Sequence, residues 1–144
     1  MKKFHFSLDR VLEWRRTQGR IEEAKLEQLF GEMNGIEARQ EAVISVALES
    51  HRSVTGASTA TGSELAALDT FRRSSAAEHV RLESQRLGCQ QRIAAQRDVV
   101  TGKRRDVRLL ERLREQRLAG WKLEAEREVS ASADESYLAK WKTR

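Results

Sequence analysis

One pattern constrains this chain more than any other. Stepping alternately by four and three residues from Leu8 gives Leu8, Leu12, Arg15, Gly19, Glu22, Leu26, Leu29, Met33, Ile36, Gln40, Val43, Ala47 and Ser50. Eight of these thirteen are apolar, and the phase holds without a slip from Leu26 to Ala47. A period of 3.5 puts one narrow stripe on one side of a helix, the seam along which coiled-coil helices meet. A second seam runs Leu65, Leu68, Arg72, Ser75, His79, Leu82, Arg86, Cys89, Ile93, Gln96, Val100, Lys103, Val107 and Leu110, again with eight apolar positions. Beyond Leu110 the stripe drifts through Leu113, Leu118, Trp121, Ala125 and Val129. Such drift suits a lone or loosely packed helix.

The rest of the composition agrees. The 144 residues include no proline, so a loop-rich fold is disfavoured. Aromatic residues are 6% and charged residues 34%, which leaves little large apolar surface for a thick core. The expected fold class is all-α: a long antiparallel two-helix coiled-coil hairpin with a longer second helix. The expected domain is a single hairpin over 1–144, with helix 1 at about 5–50, a loop at 51–63 and helix 2 at about 64–140. The loop is read from Arg52 to Ser63, a Ser/Thr-rich stretch with Gly56 and Gly62 and no charge after Arg52. Thr61-Gly-Ser-Glu64 has capping-box spacing, and Ser75-Ala-Ala-Glu78 repeats it, so a kink is expected at Ser74-Ser75. Folding at this loop sets Leu8 near Val107 and leaves roughly the last 30 residues overhanging, on the residue numbering of an antiparallel pair. Trp14, Ile21 and Ala24 lie on a neighbouring stripe that could carry the contact where the first seam turns polar, between Arg15 and Glu22.

Catalysis needs polar groups converging in a concave, partly dry site, and a two-helix hairpin has no interior in which to build one. His5, His51 and His79 are far apart, and none stands at i, i+4 from Cys89 or from another histidine. His79 reads as an interface residue and Cys89 as a small buried hydrophobe. No G-x-x-x-x-G-K-[ST] is present. The reading is of a non-enzyme with no cofactor, no metal and no small-molecule substrate. Met1-Lys2-Lys3 begins like a secretory leader, but Asp9 and Arg10 interrupt it. The longest apolar stretch, Ala42 to Leu48, falls far short of the roughly 20 residues of a membrane span. A cytoplasmic protein with a reduced Cys89 is expected.

Charge is uneven. Residues 1–50 carry 8 Lys+Arg against 9 Asp+Glu, and residues 65–144 carry 18 against 12. The densest basic stretch is Lys103, Arg104, Arg105, Arg108 and Arg112, continuing to Arg114 and Arg117. It reads either as a site for an acidic partner or as a solvated face offset by Asp106, Glu111 and Glu115. Nucleic acid is not expected as a partner, because the stretch lacks stacking aromatics. Gly31-Glu-Met-Asn-Gly35 weakens helix 1 by about 0.8–1 kcal/mol per glycine relative to alanine, and reads as tolerated weakness, a bend or a close backbone approach by a partner.

The first residues carry a further signal. Phe4-x-Phe6-x-Leu8-x-x-Val11-Leu12-x-x-Arg15, followed by Glu22-Glu23-Ala24, resembles the start of the FliJ family of flagellar type III export proteins. The motif covers about the first 25 residues, while length, basic charge and missing proline agree over the whole chain. Gly19, Gly31 and Gly35 depart from the uninterrupted first helix of the family. The resemblance implies a hairpin similar to the central stalk of rotary ATP synthases. Such a stalk enters the hexameric ring of the flagellar export ATPase, stimulates it, and links it to the membrane protein of the export gate. A role with export chaperones is also implied, as is a cytoplasmic location held peripherally at the inner membrane by the export apparatus. On this analogy Lys103, Arg104, Arg105, Arg108 and Arg112 would meet the ATPase ring. Off-seam Ile44, Leu48 and Phe71 would meet the gate, unless they widen the core stripe. The alternatives are an injectisome stalk protein and a generic cytoplasmic coiled-coil scaffold or dimeriser. Oligomeric state separates a monomeric stalk from a dimeric scaffold.

Overall fold

The computed structural model describes residues 3–142, the Lys142 side chain excepted. Met1 and Lys2, which head the charged start read above, lie outside the described residues. The fold is all-α. Helix α1 spans Asp9–Thr55 and the longer α2 spans Gly62–Lys142, with no strand among the described residues. The chain divides into two compact units, residues 22–100 and residues 1–21 with 101–144.

In the first unit α1 and α2 form an antiparallel hairpin. Ile36, Leu82, Cys89 and Ile93 make its core, flanked by Leu26, Leu29, Met33 and Val43. Leu82 and Cys89 are fully buried, and the Cys89 thiol donates to the Leu29 carbonyl at 3.5 Å. Where the first seam turns polar its partner is polar too: the Gln96 amide donates to the Glu22 carbonyl at 3.0 Å and to its carboxylate at 2.7 Å. Nearer the bend, the Gln40 amide donates to Glu83 at 2.9 Å.

The bend is shorter than composition suggested. Helix α1 continues through Ser53 and Thr55 because their hydroxyls donate to the carbonyls of Ser50 and His51, one turn back. Hydroxyl-rich sequence therefore reads as loop while lying in helix. Gly56 then closes the helix with its amide on the Arg52 carbonyl, and an added Cβ there would sit 2.8 Å from that oxygen. Helix α2 opens two residues earlier than expected, on the capping box itself. The Thr61 hydroxyl accepts from the Glu64 amide at 3.3 Å, and the Glu64 carboxylate accepts from the Thr61 amide at 2.8 Å. Hydrogen bonding from the Thr61 amide, and then from the Thr61 side chain, holds the Glu64 carboxyl below its ordinary range. Helix α2 runs unbroken through Ser74-Ser75, so the expected second start is absent. Gly31 and Gly35 lie in continuous helix, and an added Cβ at either would meet nothing within 4 Å.

In the second unit the pairing is again antiparallel, and ion pairs cross between the helices. Arg15 bonds Asp106 at 3.0 Å, Arg16 bonds Glu111 at 2.9 Å, and Arg114 approaches Asp9 at 3.5 Å. Leu12 and Phe6 supply the buried apolar groups that α1 and its lead-in contribute. Helix α1 begins at Asp9 rather than near residue 5, because the preceding segment is held against α2. The Phe4 ring lies 6.0 Å from the Trp121 ring, and the Arg117 guanidinium stands 5.8 Å from the Phe6 ring while donating to the Ser7 hydroxyl. Two sequence expectations fail here. Leu8 sits between Ser7, which meets Arg117, and Asp9, which meets Arg114, so its level on α2 is near residue 115 and not Val107. Periodicity selects the buried face, whereas these individual bonds set how far one helix slides along the other. Trp14, Ile21 and Ala24 do not carry the contact between Arg15 and Glu22 but face solvent, Trp14 at 54% exposure. Arg15 and Arg16 reach α2 through their ion pairs, and Glu22 through the Gln96 amide.

Candidate functional surfaces

Lys103, Arg104, Arg105, Arg108 and Arg112 all lie on α2. At about 100° per residue, Arg104, Arg105, Arg108 and Arg112 fall within an arc of about 100° on one side of the helix. All four are exposed, whereas Lys103 is half-buried on the seam and stands apart from that ridge. The acids expected to offset this charge are largely taken elsewhere. Asp106 and Glu111 turn to Arg15 and Arg16 of α1. The bond to Glu111, followed by that to Glu13, raises the Arg16 guanidinium above its ordinary value. Arg105, Arg108 and Arg112 have no ion-pair partner among the described residues. The result is a cationic ridge on long flexible side chains, a surface suited to several weak and exchangeable contacts with carboxylates. Sequence reasoning located the ridge and missed the α1 arginines that draw Asp106 and Glu111 away from it. Their signal was present in Arg15-Arg16, one residue of which sits on the first seam.

The second set, Ile44, Leu48 and Phe71, lies in the other unit near the bend, and the three are not brought together. Ile44 and Leu48 line one open groove of ≈ 640 Å³ with Val43, Ala47, His51, Asp69, Arg72, Arg73, Ser75 and Ala76. Phe71 lines a separate hollow on the other flank of the helix pair, with Ala42, Val43, Val46, Ser74, Ser75 and Glu78. Ile44 and Leu48 are about half exposed and Phe71 is 37% exposed, so all three flank the seam rather than fill it. Arg73 pairs with Asp69 at 2.7 Å, while Arg72 has no partner among the described residues. The Ile44 groove thus joins apolar Val43, Ile44, Ala47 and Leu48 with one cation unpaired among the described residues, Arg72. Val46, about as exposed as Ile44, belongs with Phe71 and was not singled out from the sequence.

Elsewhere along the hairpin the carboxylate of Glu83 is the most perturbed group. It accepts two bonds from Arg86 at 2.7 and 2.9 Å and one from Gln40, and its pKa falls to about 2. Its neighbours make it an interface lock. Among the described residues no cluster of three or more His, Cys, Asp or Glu could hold a metal ion, and no helix is long and apolar enough to cross a membrane. Comparison with protein-family models, with curated proteins and with solved structures yields no match.

Proposed function

We propose that this chain is a flagellar type III protein export component, a stalk-like coiled coil that engages the ring of the export ATPase. The carrying observation is the cationic ridge of α2 in the unit where helix pairing consumes the neighbouring acids. A shaft that serves six similar subunits in turn needs contacts that exchange, and exposed ion pairs contribute only about 0.2–1 kcal/mol each. Several together bias a ring without locking it. The start of the chain, Phe4-x-Phe6-x-Leu8, supports the flagellar branch through its resemblance to the FliJ family. Ile44 and Leu48 on one flank of the bend, and Phe71 on the other, offer apolar surface for the membrane protein of the export gate. Export chaperones are a further partner class in this reading, and the location is cytoplasmic, at the inner membrane through the export apparatus. The chain itself carries out no catalysis in this account.

The test is addition of the purified chain to a purified flagellar export ATPase. ATP turnover should rise in proportion to added chain, and the rise should shrink as salt screens the ridge over a Debye length of about 10 Å at 0.1 M. Turnover unchanged at all ratios in low salt would overturn the reading.

A further inference from the structure

Arg16 does more than join the two helices. It is half-buried on α1 and holds two acids at once, Glu13 of its own helix at 2.7 Å and Glu111 of α2 at 2.9 Å. Of the two, Glu111 is the larger cause of the raised Arg16 pKa.

The place of Glu111 on α2 gives that bond a consequence for the cationic ridge. Glu111 stands three residues after Arg108 and three before Arg114, the spacing at which side chains of one helix meet. Arg114 leans to Asp9 at 3.5 Å, while Arg108 is exposed and has no partner among the described residues. About 60° of arc separates Glu111 from Arg108, so this carboxylate borders the ridge. Released from Arg16, it would find Arg108 as the unpartnered base one turn away. The ridge already has one acid beside it, because Glu115 lies three residues past Arg112, exposed and in no ion pair among the described residues. A second free carboxylate would set two acids against Arg105, Arg108 and Arg112.

We infer that Arg16 is a positioning residue for the ridge: its bond keeps Glu111 turned to α1 and leaves Arg108 open to the carboxylates of a partner protein. Arg16 does not touch the partner in this role but acts through Glu111. The choice of an acidic protein surface as partner rests on the export reading, whereas the diversion of Glu111 stands on the geometry of this unit. A carboxylate on the same helix competes for the guanidinium at every encounter, so removing it to α1 raises the charge a partner meets without adding a base.

Fluorescence anisotropy of a labelled poly-L-glutamate peptide, titrated with the full chain at low salt, tests this without the ATPase. The parent should bind the peptide. Arg16→Gln should weaken binding about twofold, the size of one i, i+3 pair, with helicity by circular dichroism unchanged. Arg20→Gln removes the same charge from an exposed base of α1 that has no partner among the described residues, and should weaken binding less. Arg16→Lys, which keeps the charge and can still meet Glu111, should match the parent. Arg16→Gln combined with Glu111→Gln should also match it, since no acid is then released. In an Arg108→Gln background, Arg16→Gln should bring little further loss. Equal losses from Arg16→Gln and Arg20→Gln would overturn the inference, because Arg16 would then contribute charge alone. An Arg16→Gln loss that persists undiminished without Arg108, or a parent that does not bind the peptide, would overturn it equally. A chain that shows the expected pattern with the peptide yet leaves ATPase turnover unchanged would overturn the export reading and keep the role of Arg16.

Discussion

Residues 22–100 hold the helices together through Ile36, Leu68, Leu82, Cys89, Ile93 and Val100, while the other unit buries Phe6 and Leu12 and adds Arg15–Asp106, Arg16–Glu111 and a few aromatic contacts at the start of the chain. The two interfaces share a seam period and differ in what fills it. Apolar burial contributes about 1.5–3 kcal/mol for each Leu-sized side chain, whereas a solvent-exposed ion pair contributes about 0–1. One unit is therefore the stable clamp, and the other is the part whose charges are available for exchange. The comparison separates holding the fold from meeting a partner along a single pair of helices.

The comparison breaks first if the apolar unit does not dominate stability. Leu82→Ala removes a fully buried side chain and should cost about 2–5 kcal/mol in denaturant unfolding. Acid offers a second test within that unit. Bonds from Arg86 and then Gln40 depress the Glu83 pKa from 4.5 to about 2, so its contribution is present above pH 4.5 and is lost as pH falls from there towards 2. Stability of the parent should fall through this window, and Glu83→Gln should flatten that part of the profile while leaving the slope at neutral pH alone. The polar unit sharpens the contrast. Arg16→Ala removes one partner of a half-buried pair and should cost about 1 kcal/mol in the same unfolding measurement, reduced by salt. The smallest effect is expected at the bend. Ile44→Ser with Leu48→Ser, both on an open groove, should change stability by about 0.5 kcal/mol or less by thermal melting. A large loss there would assign these residues to the core.

The period of the sequence made the buried face legible almost residue by residue. All thirteen positions of the first seam, from Leu8 to Ser50, are at least half-buried, and on α2 the same holds from Leu68 to Leu110 except at Arg72. Leu65, at the start of α2, is about half exposed. What the period could not carry is depth and partner. It did not place Leu8 at the level of residue 115, and it gave Phe6 no burial, because Phe6 precedes the helix and packs through a long-range contact. The turn was overestimated because Ser53 and Thr55 hydroxyls serve helix and loop equally well. The cationic ridge was legible as composition. The diversion of its neighbouring acids was not, since that depends on Asp106 and Glu111 being claimed by arginines about ninety residues away in sequence.

The central claim for the molecule is that the unit of residues 1–21 with 101–144 acts through charge rather than through the fold. Reversing Arg104, Arg105, Arg108 and Arg112 to glutamate leaves every buried residue in place, so helicity and melting should stay close to the parent. Stimulation of the export ATPase at moderate salt should disappear. A folded variant that stimulates the ATPase as well as the parent would contradict the account and leave the ridge as solvated surface.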